Sequence, residues 1–554
     1  MDALQKKFLA IATFGFDLLQ AIAAVLGMLA VLVLVVAILR SIRSVTVGRA
    51  TLVVPFRGTE KLGVWVSGIL AQQLDEVERV WQALSQRVRS EREPGASGGS
   101  PMLVDLGRSK PDTTLDQEQD RLISSDPMEG QAIGRINLGP ISFSPESIFI
   151  LSYQVRTVLA RRTIRGAVDQ FGDTVRLSTT FTSRKGPVTT VLVRRVTPSS
   201  QLMDLIDDMA FQIAKHRLGL KSEAKTWGGY RAFMEGYAHH LRYERTGDSS
   251  EQDIAIQWYE RSVALEPEYH LGHYNLGALL YGRYTAADNA QAIEHLRFAS
   301  SSVQAMLRAM ALGVLARAYC QETWRYGHEE EPWLSLAEEA SYKAVQIDPN
   351  LKETWLARGF ALQARKQPQE AIDAYQRAIK LPGDSSADRI LTSMTLNNTG
   401  FIHMAKFKNF DEAEKLFKRA LEFNRQNKMP HANLGEIYKR RKRYSDALDE
   451  FRKAVTIDPR YVNGHNEMGM VYLAMARDAM SAQRYVDSTE FLKNARECHD
   501  RSAALVPKQE YRHRAEVHRC FAAACEEYGF EHEAQQERAE VDALVQLAAA
   551  VQAG

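Results

Sequence analysis

One ruler governs the C-terminal half of this chain. In NLGEIYKRRKRYSDALDEFRKAVTIDP (Asn433–Pro459), Ala447 lies twelve residues after Gly435, Phe451 sixteen, Ala454 nineteen and Pro459 twenty-four. Counting from Gly359 returns Ala371, Tyr375 and Ala378 at the same offsets, with Pro382 one residue early. Gly400, Gly435 and Gly469 stand 35 and 34 residues apart. This spacing predicts helical hairpins. The Gly of the first helix and the two Ala of the second are small because the helices cross closely there, and the aromatic between the alanines fills the space left between neighbouring hairpins. The proline ends the second helix, having no N–H to donate and a ring that obstructs the next turn.

Looser copies keep the rhythm: HYNLGALLYGRYTAADNAQAIEHLRFA (Gly277, Ala292, Ala299), NNTGFIHMAKFKNFDEAEKLFKRALEF (Gly400, Ala413, Ala420) and NEMGMVYLAMARDAMSAQRYVDSTEFLKNA (Gly469, Ser488, Ala495). IAIQWYERSVALEP and LAEEASYKAVQIDP supply second helices ending at Pro267 and Pro349. The pattern resembles the tetratricopeptide repeat (TPR). The resemblance implies a mainly α right-handed solenoid of about eight hairpins over residues 226–554, closed by a capping hairpin near Tyr511–Gln552. Its concave face would grip an extended peptide or a partner helix.

Positions three before, one after and four after the Gly line that face. They select Tyr274 and Tyr281, Phe360 and Gln363, Asn397 and Phe401, Glu436 and Lys439, and Asn466 as partner-binding candidates. Rings offer apolar contact, and Asn can bind an extended backbone. No ordered set of Lys, Arg and Asn recurs across three repeats to clamp a terminal carboxylate. The basic run KRRKR (Lys439–Arg443) falls at the turn between two helices. A solvated turn accounts for it, with an acidic partner or lipid contact as the alternative.

At the other end, Ala21–Leu39 is apolar or Gly throughout (AIAAVLGMLAVLVLVVAIL). At a rise of about 1.5 Å per residue, it is long enough for a bilayer core and longer than a signal-peptide apolar region. The expectation is an N-terminal membrane anchor over residues 1–44, with a transmembrane helix at about 18–39. Lys6 and Lys7 precede the run and Arg40, Arg43 and Arg49 follow it, which assigns the bulk of the chain to the cytoplasmic side, at the inner membrane if bacterial.

Residues 45–225 read as a small α+β domain with a disordered insertion at about 90–134, rich in Gly, Pro, Ser and charge. ATLVVPF, INLGPISF, IRGAVDQFGDTVRLSTTFTS and GPVTTVLVRRV read as strands. LGVWVSGILAQQLDEVERVWQAL, SPESIFILSYQVRTVLARR (capped by Ser144) and QLMDLIDDMAFQIAKHRLGL read as helices. The order of LVVPFRG, GILAQQL, GAVDQFGDTVRLSTTF and DLIDDMAFQIAKHRL ahead of repeats resembles the TolB-like amino-terminal domain of bacterial regulators. That resemblance implies a regulatory or scaffolding role and supplies no catalytic residues.

Nothing in the chain carries a familiar catalytic signature: G-x-x-x-x-G-K-[ST], H-E-x-x-H, paired C-x-x-C and G-x-S-x-G are all absent. CHD (Cys498–Asp500) and His239–His240 set reactive types side by side, but neighbours on a helix point apart. They read as surface or packing residues. Cys320, Cys498, Cys520 and Cys525 are too few and too unevenly spaced for a disulfide framework. Lys+Arg 70 against Asp+Glu 68 gives no global electrostatic case for nucleic acid. The expectation is therefore a non-enzyme without cofactor or metal. It is a membrane-tethered scaffold that binds a protein or peptide partner, with a periplasmic, envelope-associated TolB-like/TPR component as the second reading.

Overall fold

The computed structural model describes residues 50–53, 60–91, 121–123, 136–138, 141–143, 162–171, 174–183, 192–196, 201–218, 222–283, 285–324, 330–383, 386–506 and 511–553, together with Val36 and Leu39. The chain divides into two compact units, with residues up to Ser85 and from Val104 to Tyr230 in one, and Arg231 to the end, with Gln86–Leu103, in the other.

The first unit is a mixed α+β fold. Its strands are β1 (Ala50–Val53), β2 (Arg121–Ile123), β3 (Ile136–Leu138), β4 (Ile141–Phe143), β5 (Arg162–Phe171), β6 (Thr174–Ser183) and β7 (Leu192–Val196). Five of them form a sheet in the order β2-β1-β5-β6-β7, while β3 and β4 make a separate ladder. β1 runs parallel to β2 and β5; β5, β6 and β7 are antiparallel, with β5 and β6 in register from Arg162↔Ser183 to Phe171↔Thr174. Period-two alternation puts Ile164, Val168, Val175, Leu177 and Thr179 on one buried face. Helix α1 (Glu60–Glu91) buries Val66, Leu70, Leu74 and Val77, a spacing that stays on one side of a helix. Helix α2 (Leu202–Leu218) buries Leu205, Ile206, Met209 and Ile213. The segment after α2 is fastened back onto it: Lys215 Nζ donates to the Ala224 carbonyl (2.6 Å), and the Trp227 N–H donates to Asp208 Oδ1 (2.8 Å).

β2 falls inside the stretch 90–134 expected to be disordered, and its register with β1 makes it part of the sheet. Ser90 and Glu91 end α1; the remainder of that stretch, and the helix expected from Ser144 up to Arg162, the first residue of β5, lie outside the described residues.

From Trp227 onward sixteen helices are described, arranged as eight successive hairpins. They are α3 (Trp227–Thr246) with α4 (Ser249–Leu265), α5 (His270–Arg283) with α6 (Ala286–Ala299), α7 (Ala305–Trp324) with α8 (Glu330–Ile347), and α9 (Lys352–Ala364) with α10 (Pro368–Lys380). α11 (Ser386–Ala405) with α12 (Phe410–Phe423), α13 (Lys428–Arg440) with α14 (Tyr444–Ile457), α15 (Val462–Ser481) with α16 (Tyr485–Leu505), and α17 (Tyr511–Glu527) with α18 (Glu531–Ala553) complete the array. The ruler's small residues are where helices touch. A Cβ added to Gly435 would lie 2.8 Å from the Phe451 ring, and one on Gly400 2.7 Å from Phe417; Gly359 abuts Tyr375 in the same way. The aromatic therefore lies over the glycine of its own hairpin, a closer role than filling space between hairpins. Ala371, Ala413, Ala447 and Ala454 are fully buried beside it.

The turns repeat too. Lys366, Lys408, Lys442 and Gln483 occupy the left-handed region, at φ 62, 55, 59 and 58°, between the two helices of successive hairpins. The N–H groups of Gln367, Arg443 and Arg484 reach back to the carbonyls of Leu362, Tyr438 and Ala479, closing the first helix as a Schellman-type cap.

The expected transmembrane helix is corrected: among the described residues, no helix is long and apolar enough to cross a membrane. Long helices here carry ionised groups that a bilayer core does not tolerate; α7, apolar along much of its length, still holds Arg308, Arg317 and Glu322. The run Ala21–Leu39 lies outside the described residues except for Val36 and Leu39, which are exposed. The membrane tether and the single-pass topology lose their support, and the assignment to one side of a membrane falls with them.

Candidate functional site

The array has an inner and an outer layer. First helices of successive hairpins pack against one another, α5 on α7, α7 on α9, α9 on α11, α11 on α13 and α13 on α15. Second helices pack against the first helices on either side, and no comparably close contact joins successive second helices among the described residues. A row that touches along one side and splays along the other curves towards the side that touches, so the first helices line the hollow of the curve.

The nine sequence-selected residues all lie on these first helices but differ in availability. Tyr274 and Tyr281 are buried, the latter beneath the Arg317 guanidinium at 5.3 Å. Burial pushes the Tyr274 hydroxyl above its ordinary range, and the Glu353 carboxylate adds to the shift. Asn397 is buried, and its Oδ1 accepts from Asn433 Nδ2 (2.8 Å). Asn466 is buried, and its Oδ1 has no hydrogen-bond partner among the described residues. Gln363 Oε1 accepts from the Tyr375 hydroxyl (3.1 Å). Phe360 is half-buried against the cluster of Leu356, Leu362 and Ile402. Phe401 is 40% exposed and shares a small recess with Gln363 and Ile402. Hairpins four and five thus bring Phe360, Gln363, Asn397 and Phe401 onto adjoining inner helices, whereas Tyr274, Tyr281 and Asn466 belong to other parts of the layer.

Glu436 and Lys439 form a closed charge set. Lys439 Nζ lies 2.5 Å from both Glu436 and Glu467, and Arg440 pairs with Glu436 at 2.7 Å. Those carboxylates hold the lysine's pKa above its ordinary value against the opposing effect of burial, which is the largest single influence. In the rest of the KRRKR run, Arg441 pairs with Asp411 and Glu414 and Arg443 with Asp446, while Lys442 is exposed at the turn. The turn is an ion-paired surface.

Two inner-layer residues were missed by the sequence reading. Arg317 of α7 and Glu353 of α9 make a buried ion pair, each side chain 8% exposed. Only the second helix of hairpin three carries the sequence marks, because the glycine of its first helix, Gly313, faces Glu353 and Ala357 of α9 and no ring; Ala309, Ala311, Ala316 and Ala318 are all fully buried there. Counting back eight residues from Pro349, as from Pro459 to Phe451, gives Ser341 in place of a ring. A recess of about 290 Å³ lies outside the inner layer, between α8 and α9, bounded by Ser335, Glu338, Glu339, Tyr342, Arg358 and Arg365. Glu338 pairs with both arginines, at 3.6 and 3.2 Å, so the recess is largely self-satisfied.

Residues 352–426 match the family model described as tetratricopeptide repeat, and residues 435–475 the one described as TPR repeat. Such repeats belong to a class that is typically non-catalytic and used for protein–protein contact. The TolB-like resemblance is corrected here, because the family matches fall within 352–475 and none supports it. Its carriers were a short apolar strand, a β-hairpin and amphipathic helices, which many α+β folds share. No curated protein matches the chain. Among solved structures, the chain is similar to a Rap protein complexed with competence and sporulation factor, at 14% identity over 62% of this chain and 93% of that one, TM-score 0.41. It is similar also to a signal-transduction ATPase with a tetratricopeptide repeat sensor from Pyrococcus horikoshii, at 13% identity over 65% and 57%, TM-score 0.39. A monomeric mutant of IFIT1 with Gppp-AAAA stands at 14% identity over 56% and 68%, TM-score 0.33. Likeness at that level says nothing of function.

Proposed function

We propose that the chain is an interaction scaffold whose array of first helices holds a protein or peptide segment in its hollow, with the α+β segment as a separate module. The observation that carries this reading is Phe401, a large aromatic left 40% exposed on the inner layer in the middle of the array. Burying such a ring yields about 1.5–3 kcal/mol, and exposed aromatics near the centre of an interface commonly dominate its energy. Gln363 lines the same recess from the adjoining helix and supplies an amide suited to a main chain, while Asn397, one turn before Phe401 on α11, is held by Asn433 and braces the layer. The occupant is thus an extended or helical segment with at least one large apolar side chain. Tyr274, Tyr281, Phe360, Glu436, Lys439 and Asn466 shape the same layer, the buried ones by fixing how the helices pack.

Replacing Phe401 by Asp tests this. The side chain is already partly in water, so the thermal midpoint of the array should change little, while recovery of the partner on the tagged full chain should fall at least tenfold. Unchanged recovery by a stably folded Phe401→Asp chain would place the binding surface elsewhere.

A further inference from the structure

The last two hairpins hold a cluster that the interaction reading does not use. His499 on α16, His518 on α17 and Glu537 on α18 converge, and among the described residues theirs is the one group of His, Cys, Asp or Glu ligand atoms gathered closely enough for an ion. His499 Nε2 lies 3.2 Å from His518 Nδ1 and 2.9 Å from Glu537 Oε2, and His518 Nδ1 lies 2.6 Å from the same oxygen. His499 and Glu537 are buried, at 1% and 3% exposure, and His518 is partly open.

We propose that these three side chains form a binding site for a divalent first-row transition ion, zinc by preference, that ties the terminal hairpin to its neighbour. Three atoms separated by 2.6–3.2 Å leave room for one ion about 2.1 Å from each, capping the triangle about 1.2 Å off its plane. The donor set, two imidazoles and a carboxylate, is one that zinc takes with a further position open. The open side is that of His518, the most accessible of the three. Protons alone satisfy the triangle poorly. Both imidazoles would aim an N–H at one carboxylate oxygen, with two donors 3.2 Å apart. An ion replaces both protons and uses a lone pair from each atom.

The surroundings hold the ligands in place. Arg496 pairs with the other carboxylate oxygen, Glu537 Oε1, and leaves Oε2 to the imidazoles. His499 Nδ1 has no hydrogen-bond partner among the described residues. Its ring is instead oriented by stacking on Phe521, at 4.2 Å between centroids and 5° between planes. The ligands come from three helices, so an ion there adds α17 to the link that the Arg496–Glu537 pair already makes between α16 and α18.

The test uses the full chain, stripped with a chelator and then titrated with zinc chloride alone. The expected result is one zinc retained per chain after gel filtration, a thermal midpoint that rises with zinc concentration, and an X-ray absorption spectrum with nitrogen and oxygen neighbours and no sulfur. His518→Ala and Glu537→Gln, each checked for native helical content, should lose affinity by more than about 100-fold, beyond what loss of an outer-shell partner costs. No retained zinc would overturn the proposal. So would sulfur neighbours in the unaltered chain, or zinc bound equally by natively folded variants. The spectrum of the unaltered chain decides the question even if a variant fails to fold.

Discussion

Gly435→Ala isolates the contact on which the repeat spacing rests. The new Cβ would meet Phe451 Cζ at 2.8 Å and both Cε atoms at 2.9 Å, distances that real Cβ contacts essentially never show. The ring is fully buried and has nowhere to retreat. Overpacking of this kind costs about 1–3 kcal/mol. Against it stands the gain from replacing a mid-helix glycine by alanine, about 1 kcal/mol. The net loss is then roughly 0–2 kcal/mol, too variable to interpret alone. The coupling is sharper. Phe451→Leu shortens the side chain under the new methyl, so in that background Gly435→Ala should become neutral or stabilising. The double-mutant cycle should give a coupling of about 1–3 kcal/mol. Native-state hydrogen exchange read on peptides from α13 and α14 measures each corner locally, which a global melt of a repeat array does not. Additive effects within about 0.5 kcal/mol would mean that glycine and ring are not in contact, and the physical reading of the ruler would be wrong.

Three further outcomes follow from particular groups. Lys442→Gly should stabilise the α13–α14 hairpin by up to about 1 kcal/mol, because a side chain at φ 59° is strained and glycine is not; a loss of protection there would refute it. Arg317→Met should cost about 3–5 kcal/mol by leaving Glu353 buried and unpaired, while Arg317→Met with Glu353→Met should recover most of that, as read by urea unfolding; equal losses in both would show the pair to be solvated. Burial, and then the neighbouring His295, lower the His273 pKa to about 4, with ring nitrogens 2.9 Å apart. The unfolded chain therefore takes up this proton first. Its contribution is complete above about pH 6.5 and lost as pH falls towards 4, by at most about 3 kcal/mol. His273→Asn should flatten the pH dependence of stability in that window, and an unchanged slope would refute the assignment.

The repeat frame was legible because close helix crossings admit few residue types: Gly359, Gly400 and Gly435 each lie under a ring, and the spacing follows. Hairpin three was only half legible, since Ser341 stands where the other copies carry a ring and the glycine of its first helix, Gly313, faces Glu353 and Ala357 of α9. Groove offsets placed residues on the first helices of their hairpins but could not say which were spent. Asn397 is engaged by Asn433 from the next hairpin, and Lys439 by Glu467 from the one after it. The C-terminal triad escaped for a different reason. The helical rule correctly separated Cys498 from His499, but the partners of His499 come from 19 and 38 residues away on two other helices. An apolar run is the weaker kind of signal: Ala21–Leu39 has the length of a span, and length alone does not establish one.

The claim that the inner layer is the working surface is tested most directly by site-specific photocrosslinking. A benzophenone-bearing residue would replace Phe401 on the inner layer or Lys415 on the outer helix α12, in otherwise unaltered chains exposed to the same cell extract. The account predicts a discrete covalent adduct from position 401, absent from position 415 and competed away by excess unlabelled chain but not by Phe401→Asp. An adduct that forms from position 415 and not from 401 would contradict it.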